Sequence, residues 1–190
     1  MSLFFCFINT TMTALNRNPT NPNNLQPNKF VLTFARTPNI TYFCQSLGVP
    51  GISLSEVPVN NPFLDLYSPG EKAIYDLLNV TFMLDEELKS WSEIHDWIRA
   101  MTFPTEFAEY RRLPRLNKFA SSEQNQKPQF SDASVVLLSS SNKPYYRFDF
   151  RDVFPVSLST FVMNTQDDPG TVITADATFR YSYYDVIKLF

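Results

Sequence analysis

The chain holds one histidine, and it is the natural place to look for chemistry. His95 lies next to Asp96 and two residues after Glu93, so an imidazole base oriented by a carboxylate could be drawn there. The same residue falls inside a helical pattern four positions after Trp91, where a helix-surface or interface role explains it as well. Glu86, Glu87, Glu93 and Asp96 could supply paired acids, but carboxylates early in a helix are already accounted for by capping and by the positive end of the helix dipole. Asp167 and Asp168 precede Pro169-Gly170, a turn signature. A cation bound there would need more oxygen ligands than the local sequence offers. Cys6 and Cys44 belong to no Cys-x-x-Cys pair and read as buried free thiols. Trp91 and Trp97 could form a stacking platform, yet they lie on or beside an apolar helical stripe, which points to packing. The chain carries no Gly-rich phosphate loop, no Ser-centred nucleophile elbow and no metal-spaced Cys/His cluster. We therefore expect no catalytic residue, no cofactor site and no metal ligand, and a protein that is not an enzyme.

Charge points the same way. With 16 Lys and Arg against 19 Asp and Glu, the 190 residues carry a formal charge of −3, unsuited to neutralising phosphates along a nucleic acid. Arg111, Arg112, Arg115 and Lys118 form one local basic cluster, in a Pro-interrupted segment that reads as a solvated loop, a subunit contact or a small phosphate patch. The apolar start from Leu3 to Ile8 has no basic residues before it and ends at Asn9-Thr10-Thr11, too soon for a signal peptide or membrane span. The expectation is a soluble chain made in a reducing cytoplasm, without membrane insertion.

The elements that would hold such residues are mostly strands. Phe (18) and Tyr (9) are abundant and Gly (4) is scarce, which favours an all-β or α+β domain with a sizeable core. Residues 1–28 read as an extended arm, because LNRNPTNPNNLQPN from Leu15 to Asn28 supports neither a helix nor a strand ladder. Residues 29–190 read as the domain. Period-two alternation predicts strands over Lys29–Arg36 and Leu78–Leu84, with shorter ones at Tyr42–Leu47, Ile52–Val59 and Ser134–Leu138 and around Tyr146–Phe150. Pro155 permits a bend before Val156–Phe161, and Ile173 to Tyr183 reads as the longest strand. Phe63 to Lys72 reads as a loop with exposed apolar side chains. One helix is predicted near 86–101, capped by Asp85, with Leu88, Trp91, Ile94, Ile98 and Met101 as its apolar stripe and Trp97 beside it. Thr105 to Gln129 reads as an irregular excursion.

This order of segments resembles the tail-tube proteins of contractile phages, the T4-like group in particular, across most of Pro27 to Val186. PNKFVLTF is similar to the family's opening strand and YFCQSLGVPGISLSEV to its second strand and turn. SPGEK is similar to the following loop, LNVTFMLDEELKSWSEIHDWI to its strand, acidic turn and Trp-bearing helix, and VFPVSLSTFVMNTQDDPGTVITADATFRYSYYDV to its closing strands. The arm and the basic cluster have no clear counterpart in the simplest tube subunits. The resemblance implies a β-sandwich or barrel with one flanking helix. It also implies hexameric rings that stack into a tube, through which genomic DNA passes without sequence-specific binding. Tail sheath, baseplate and tape-measure proteins would be the partners and the virion tail the location. A baseplate ring that initiates the tube is the alternative, and a non-viral β-sandwich binding module a more distant one.

Two sets of side chains are expected to make subunit contacts. Phe63, Leu64, Leu66 and Tyr67 lie in a turn-rich setting with no obvious place in the domain's own core. Leu3, Phe4, Phe5, Phe7 and Ile8 form an apolar anchor at the end of an arm whose composition opposes order on its own.

Overall fold

The computed structural model of the chain describes residues 23–102, 129–166, 168 and 170–189. In chain order its elements are β1 (Phe30–Phe34), α1 (Pro38–Phe43), β2 (Cys44–Gly48), β3 (Ile52–Val59), β4 (Leu66–Tyr75), β5 (Leu78–Met83), α2 (Lys89–Thr102), β6 (Ser131–Leu138), β7 (Pro144–Leu158), β8 (Thr174–Arg180) and β9 (Tyr183–Lys188). The fold is thus mainly β, as the composition suggested.

Alternation makes the strands and selects their inner face. Leu32 and Phe34 of β1 are buried while Val31 and Thr33 face out, and Leu78, Val80 and Phe82 of β5 are buried while Asn79 faces out. Strands β1, β6, β7 and β9 form one antiparallel sheet, and β7, β8, β5 and β2 form a second. Strand β7 belongs to both. Up to Arg151 it pairs with β9, and from Phe154 with β8. The passage between sheets occurs at Asp152, whose φ is 55°. There β7 fits one more residue between Phe150 and Val153 than β6 fits between Ala133 and Ser131, a bulge of the kind that bends a strand. Asp tolerates the left-handed region better than most residues, and here its carboxylate accepts the Ser182 hydroxyl at 3.1 Å. The bend expected at Pro155 is therefore placed three residues early. Pro155 itself lies buried inside the strand.

The longest strand is β7 and not the last one. The expected run from Ile173 to Tyr183 is interrupted at Tyr181-Ser182, where the Ser182 amide donates to the Arg151 carbonyl at 2.9 Å. Its two parts, β8 and β9, follow β7 through its change of sheet.

Both helices serve the core between the sheets. Helix α2 buries Ser90, Ile94, Trp97 and Ala100, with Trp91, Ile98 and Met101 half-buried at the rim. The apolar face is rotated from the expected stripe, and Trp97 rather than Trp91 is its centre. The Trp97 indole donates to the Gln129 carbonyl at 3.0 Å, so a fully buried ring leaves no orphaned N–H. That ring packs 6.4 Å from Phe179 and lies under the Arg36 guanidinium at 4.7 Å. Burial lowers the Arg36 pKa to about 10. Small Ala175 and Ala177, both buried, lie on the core face of β8 beside Phe179.

The helix starts at Lys89, three residues later than expected. Asp85 still caps it, accepting the amides of Lys89 and Ser90 at 3.1 and 3.2 Å and the Ser90 hydroxyl at 2.9 Å. Glu86 and Glu87 occupy the intervening turn, and Leu88 enters the helix with φ at 52°. At Asp85, burial opposes ionisation but is outweighed by the bonds from Ser90 and Lys89, which hold the carboxyl below its ordinary range. A second helix, α1, takes Tyr42 and Phe43 from the strand expected at Tyr42–Leu47, which begins as β2 at Cys44. Pro38 supplies its start, and its buried Ile40 joins the core. The basic cluster Arg111–Lys118 lies outside the described residues.

Candidate assembly surfaces

One part of the molecule has no core of its own. Strands β3 and β4 pair only with each other, as a two-stranded ribbon apart from the two sheets. Ile52, Leu54, Val57, Val59, Leu66 and Ile74 are each 41% to 59% exposed, so among the described residues nothing covers either face of the ribbon. Phe63 and Leu64 form its turn, 93% and 64% exposed. Leu66 and Tyr67 begin β4 opposite Val59 and Pro58. All four expected contact residues of this region are therefore gathered at one apolar tip.

The segment Phe63–Lys72, expected to be a loop, is for the most part strand. Ser68-Pro69-Gly70 reads as a turn in sequence, but Pro is tolerated in a strand that has a free edge. A bulge places Gly70, Glu71 and Lys72 opposite Ser55 alone. Gly70 comes so close there that a Cβ would sit 2.3 Å from the Ser55 hydroxyl and 2.6 Å from its carbonyl oxygen. Only glycine fits this crossing.

A lone hairpin is marginal in water. This one is fixed at its root by aromatic side chains of the domain. Tyr75, at the end of β4, lies 6.0 Å from Tyr181 and 5.4 Å from Tyr184, and both of those rings pack on Phe150. The Tyr181 hydroxyl donates to the Asp76 carbonyl at 2.8 Å and the Tyr184 hydroxyl to the Pro50 carbonyl at 3.3 Å. Burial pushes the Tyr181 hydroxyl up to about 12. Root and tip thus differ in character, the one packed and hydrogen-bonded, the other bare.

A second apolar surface lies at the opposite end of the second sheet. Val162 and Met163, each 77% exposed, and Val172 at 53% project from the β7–β8 connection. That connection is tied to the end of β5 by the Leu84 amide, which donates to the Ile173 carbonyl at 3.0 Å, whereas the hairpin leaves from the start of β5. Sequence reasoning missed this surface. The available signal was a pair of adjacent apolar residues outside any strand, next to an acidic turn. Between the two ends, the outer face of the second sheet presents Ser46, Asn79, Thr81, Ser157, Asp176 and Thr178 to solvent, with Thr81 donating to Asp176 at 2.6 Å.

The candidate chemical groups do not converge. His95 stacks on Trp91 at 4.9 Å and meets Asp96 at 3.4 Å on the helix surface, while Glu93 is turned to Asn39 at 2.7 Å. Glu87 pairs with Lys89. Asp168 accepts the Gly170 amide at 3.3 Å, closing a turn. Burial pushes the Cys44 thiol up to about 11, away from the reactive thiolate. Among the described residues there is no group of three or more His, Cys, Asp or Glu placed to hold a metal ion, and no helix long and apolar enough to cross a membrane. The anchor residues Leu3, Phe4, Phe5, Phe7 and Ile8 lie outside the described residues, as do Cys6 and Asp167.

A β domain that projects bare apolar side chains at both ends of its second sheet carries the kind of surface on which subunits assemble. The family profile described as phage tail tube protein matches residues 4–187, and the chain belongs to that family, one of structural tail components rather than enzymes. It is a structural protein whose place is in a phage tail. The chain is 26% identical over 160 residues to the tail tube terminator protein of Enterobacteria phage T4, covering 80% of this chain and 81% of that one. Among solved structures, the tube-terminating cap of the anti-feeding prophage shares the fold with a TM-score of 0.58 at 10% identity, over 93% of this chain and 99% of that one. A chain of the six-fold symmetrised baseplate of the anti-feeding prophage has a TM-score of 0.55 at 12% identity, over 87% and 96%.

Proposed function

We propose that the chain assembles as a closed ring of six copies at the end of a tail tube, around a channel through which DNA passes. The observation that carries this reading is the β3–β4 hairpin, packed at its root and apolar at a tip that finds no partner among the described residues. Such a projection fits the surface of an adjacent ring, where burying Phe63, Leu64, Leu66 and Tyr67 removes from water the apolar area that the single subunit leaves bare. Six is the symmetry given for the anti-feeding prophage baseplate, one of whose chains shares the fold. Placement at a tube end is supported by the likeness to a terminator over four-fifths of both chains.

The outer face of the second sheet suits a channel wall. Its side chains are mostly hydroxyls and amides, with Asp176 and a single cation, Arg180 at the end of β8, and one isolated cation per subunit is too little to hold DNA that slides past. Sheath, baseplate and tape-measure proteins would meet the ring from its rim and ends.

A second reading, the repeated tube subunit, is favoured by one specific observation. Apolar surfaces at opposite ends of the sheet permit head-to-tail stacking, which has no built-in stop. Gold-labelled antibody on intact tails separates the readings. Label at the head-proximal end is the expected result, label along the whole tail identifies a tube subunit, and label at the baseplate identifies an initiator. Electron-microscopic class averages of the purified protein should show six-fold rings, and a persistent monomer at high concentration overturns the ring itself.

A further inference from the structure

Where the arm joins the domain, the structure holds a groove of about 500 Å³ that the ring reading does not use. Its floor is Leu137 and Leu138 of β6 with Tyr145 and Tyr146 of β7, one wall is Leu25, and Ser140 stands on the rim of the β6–β7 turn. Leu25 is 68% exposed beside it. The turn is held open in one shape: the Ser139 amide donates to the Lys143 carbonyl at 2.8 Å, Asn142 takes a φ of 59°, and its side chain accepts the Lys29 ammonium at 2.5 Å. The floor is apolar and aromatic, the rim carries serine hydroxyls and the carboxamides of Asn23, Asn24 and Gln26, and the lining has no carboxylate or cation. A groove of this size and make takes an uncharged apolar peptide, within the roughly 300–1,000 Å³ range of built ligand sites.

The geometry points to the segment Leu3–Ile8 of a second copy as the occupant. Its sequence, LFFCFI, is uncharged and apolar throughout, matching the lining. The chain outside the described residues ends at the lip of the groove, since Asn23 and Leu25 form part of its wall. Residues 9–22 link Ile8 to Asn23, and a chain of that length spans at most about 50 Å. A compact domain of 190 residues has a radius of gyration of roughly 16 Å, so that length is enough to bring the anchor across one subunit width to the groove of a neighbouring copy. Each copy would then hold its neighbour by an exchanged arm, a contact separate from the hairpin tip. The inference rests on the ring reading only for the presence of neighbouring copies.

Cys6 lies within the anchor and supplies the probe. Full-length chains carrying Cys6→Ser with Ser140→Cys are co-assembled with natural chains and oxidised mildly with diamide, so that a disulfide between Cys6 and position 140 can form only between copies. The expected result is a covalent dimer whose linked peptides contain Cys6 and position 140, at least tenfold more abundant than with Ser157→Cys on the exposed face of the second sheet. Equal yields at the two positions, or no product, overturn the inference. So does a crosslink that forms within chains carrying Ser140→Cys alone but not in the mixture, which returns the arm to its own domain. Electron microscopy of the same sample tells the failures apart: rings without the crosslink reject the docking, and an absence of rings rejects the ring reading as well.

Discussion

The hairpin and the second sheet are written in nearly the same pattern and behave in opposite ways. Leu78-Asn79-Val80-Thr81 alternates apolar with polar and buries Leu78 and Val80 almost completely; Ile52-Ser53-Leu54-Ser55 alternates likewise and leaves Ile52 and Leu54 more than half exposed. The difference lies in what stands opposite. The β5 side chains face α2 and the first sheet across a closed core, whereas beyond its root at Tyr75 the ribbon has no described residue packed on either side. Alternation therefore reports a strand but not an interior, and an apolar strand without an interior belongs to an assembly.

That contrast can be broken most forcefully from the core side. Trp97→Ala removes the centre of the helix–sheet contact and should cost about 3–5 kcal/mol by urea denaturation. A loss below 1 kcal/mol would show that α2 is not fixed to the sheets. Asp85→Ala should cost about 1 kcal/mol through the lost cap. Because the folded carboxyl sits below its ordinary range, its contribution is present above the unfolded value near 3.9 and fades as pH falls through the folded one. The variant should therefore lack that acid-side decline. At the hairpin root, Tyr181→Phe should cost about 0.5–1.5 kcal/mol for the bond to Asp76. The natural Tyr181 should lose its contribution as pH rises from about 10, the free phenol's value, through about 12, so the stability gap between natural chain and variant should narrow over that window. Faster hydrogen exchange of the Asp76 amide, which bonds the Gly51 carbonyl, would locate the effect. The smallest stability change belongs to the tip. Phe63→Ser with Leu66→Ser should move the midpoint by no more than about 0.5 kcal/mol and yet abolish ring stacking in sedimentation and electron microscopy. Unfolding of this double variant would place the tip in a core after all.

The body was largely legible because its strands obey period two and their inner faces meet. β1 and β5 follow directly from Leu32, Phe34, Val80 and Phe82. Three features escaped for definite physical reasons. Pro69-Gly70 looks like a turn because the signal is local, and only the close approach of Ser55 explains a glycine in a strand. Trp97 was set beside the helical stripe because the actual start, displaced to Lys89 by a left-handed Leu88, is a tertiary choice that propensity does not encode. The bend at Asp152 was assigned to Pro155 since an aspartate bulge carries no compositional mark. As for the assembly surfaces, the hairpin tip could be read from apolar residues crowded around a turn, whereas Val162 and Met163 stand outside any periodic element and draw notice only once their exposure is known.

The pairing register also fixes an order of events in time. Phe30 meets Leu137 and Leu78 meets Phe179, so each sheet must wait for residues about a hundred positions downstream, and closing such loops makes folding slow. Val59 meets Leu66 across a short turn, and a hairpin of this kind closes in roughly 1–10 μs. During synthesis the sticky ribbon can be complete while the domain that roots it still lacks Tyr181 and Tyr184. On the nascent chain the adhesive thus precedes its scaffold, and the apolar ribbon stays open to unwanted contacts until the last strands arrive.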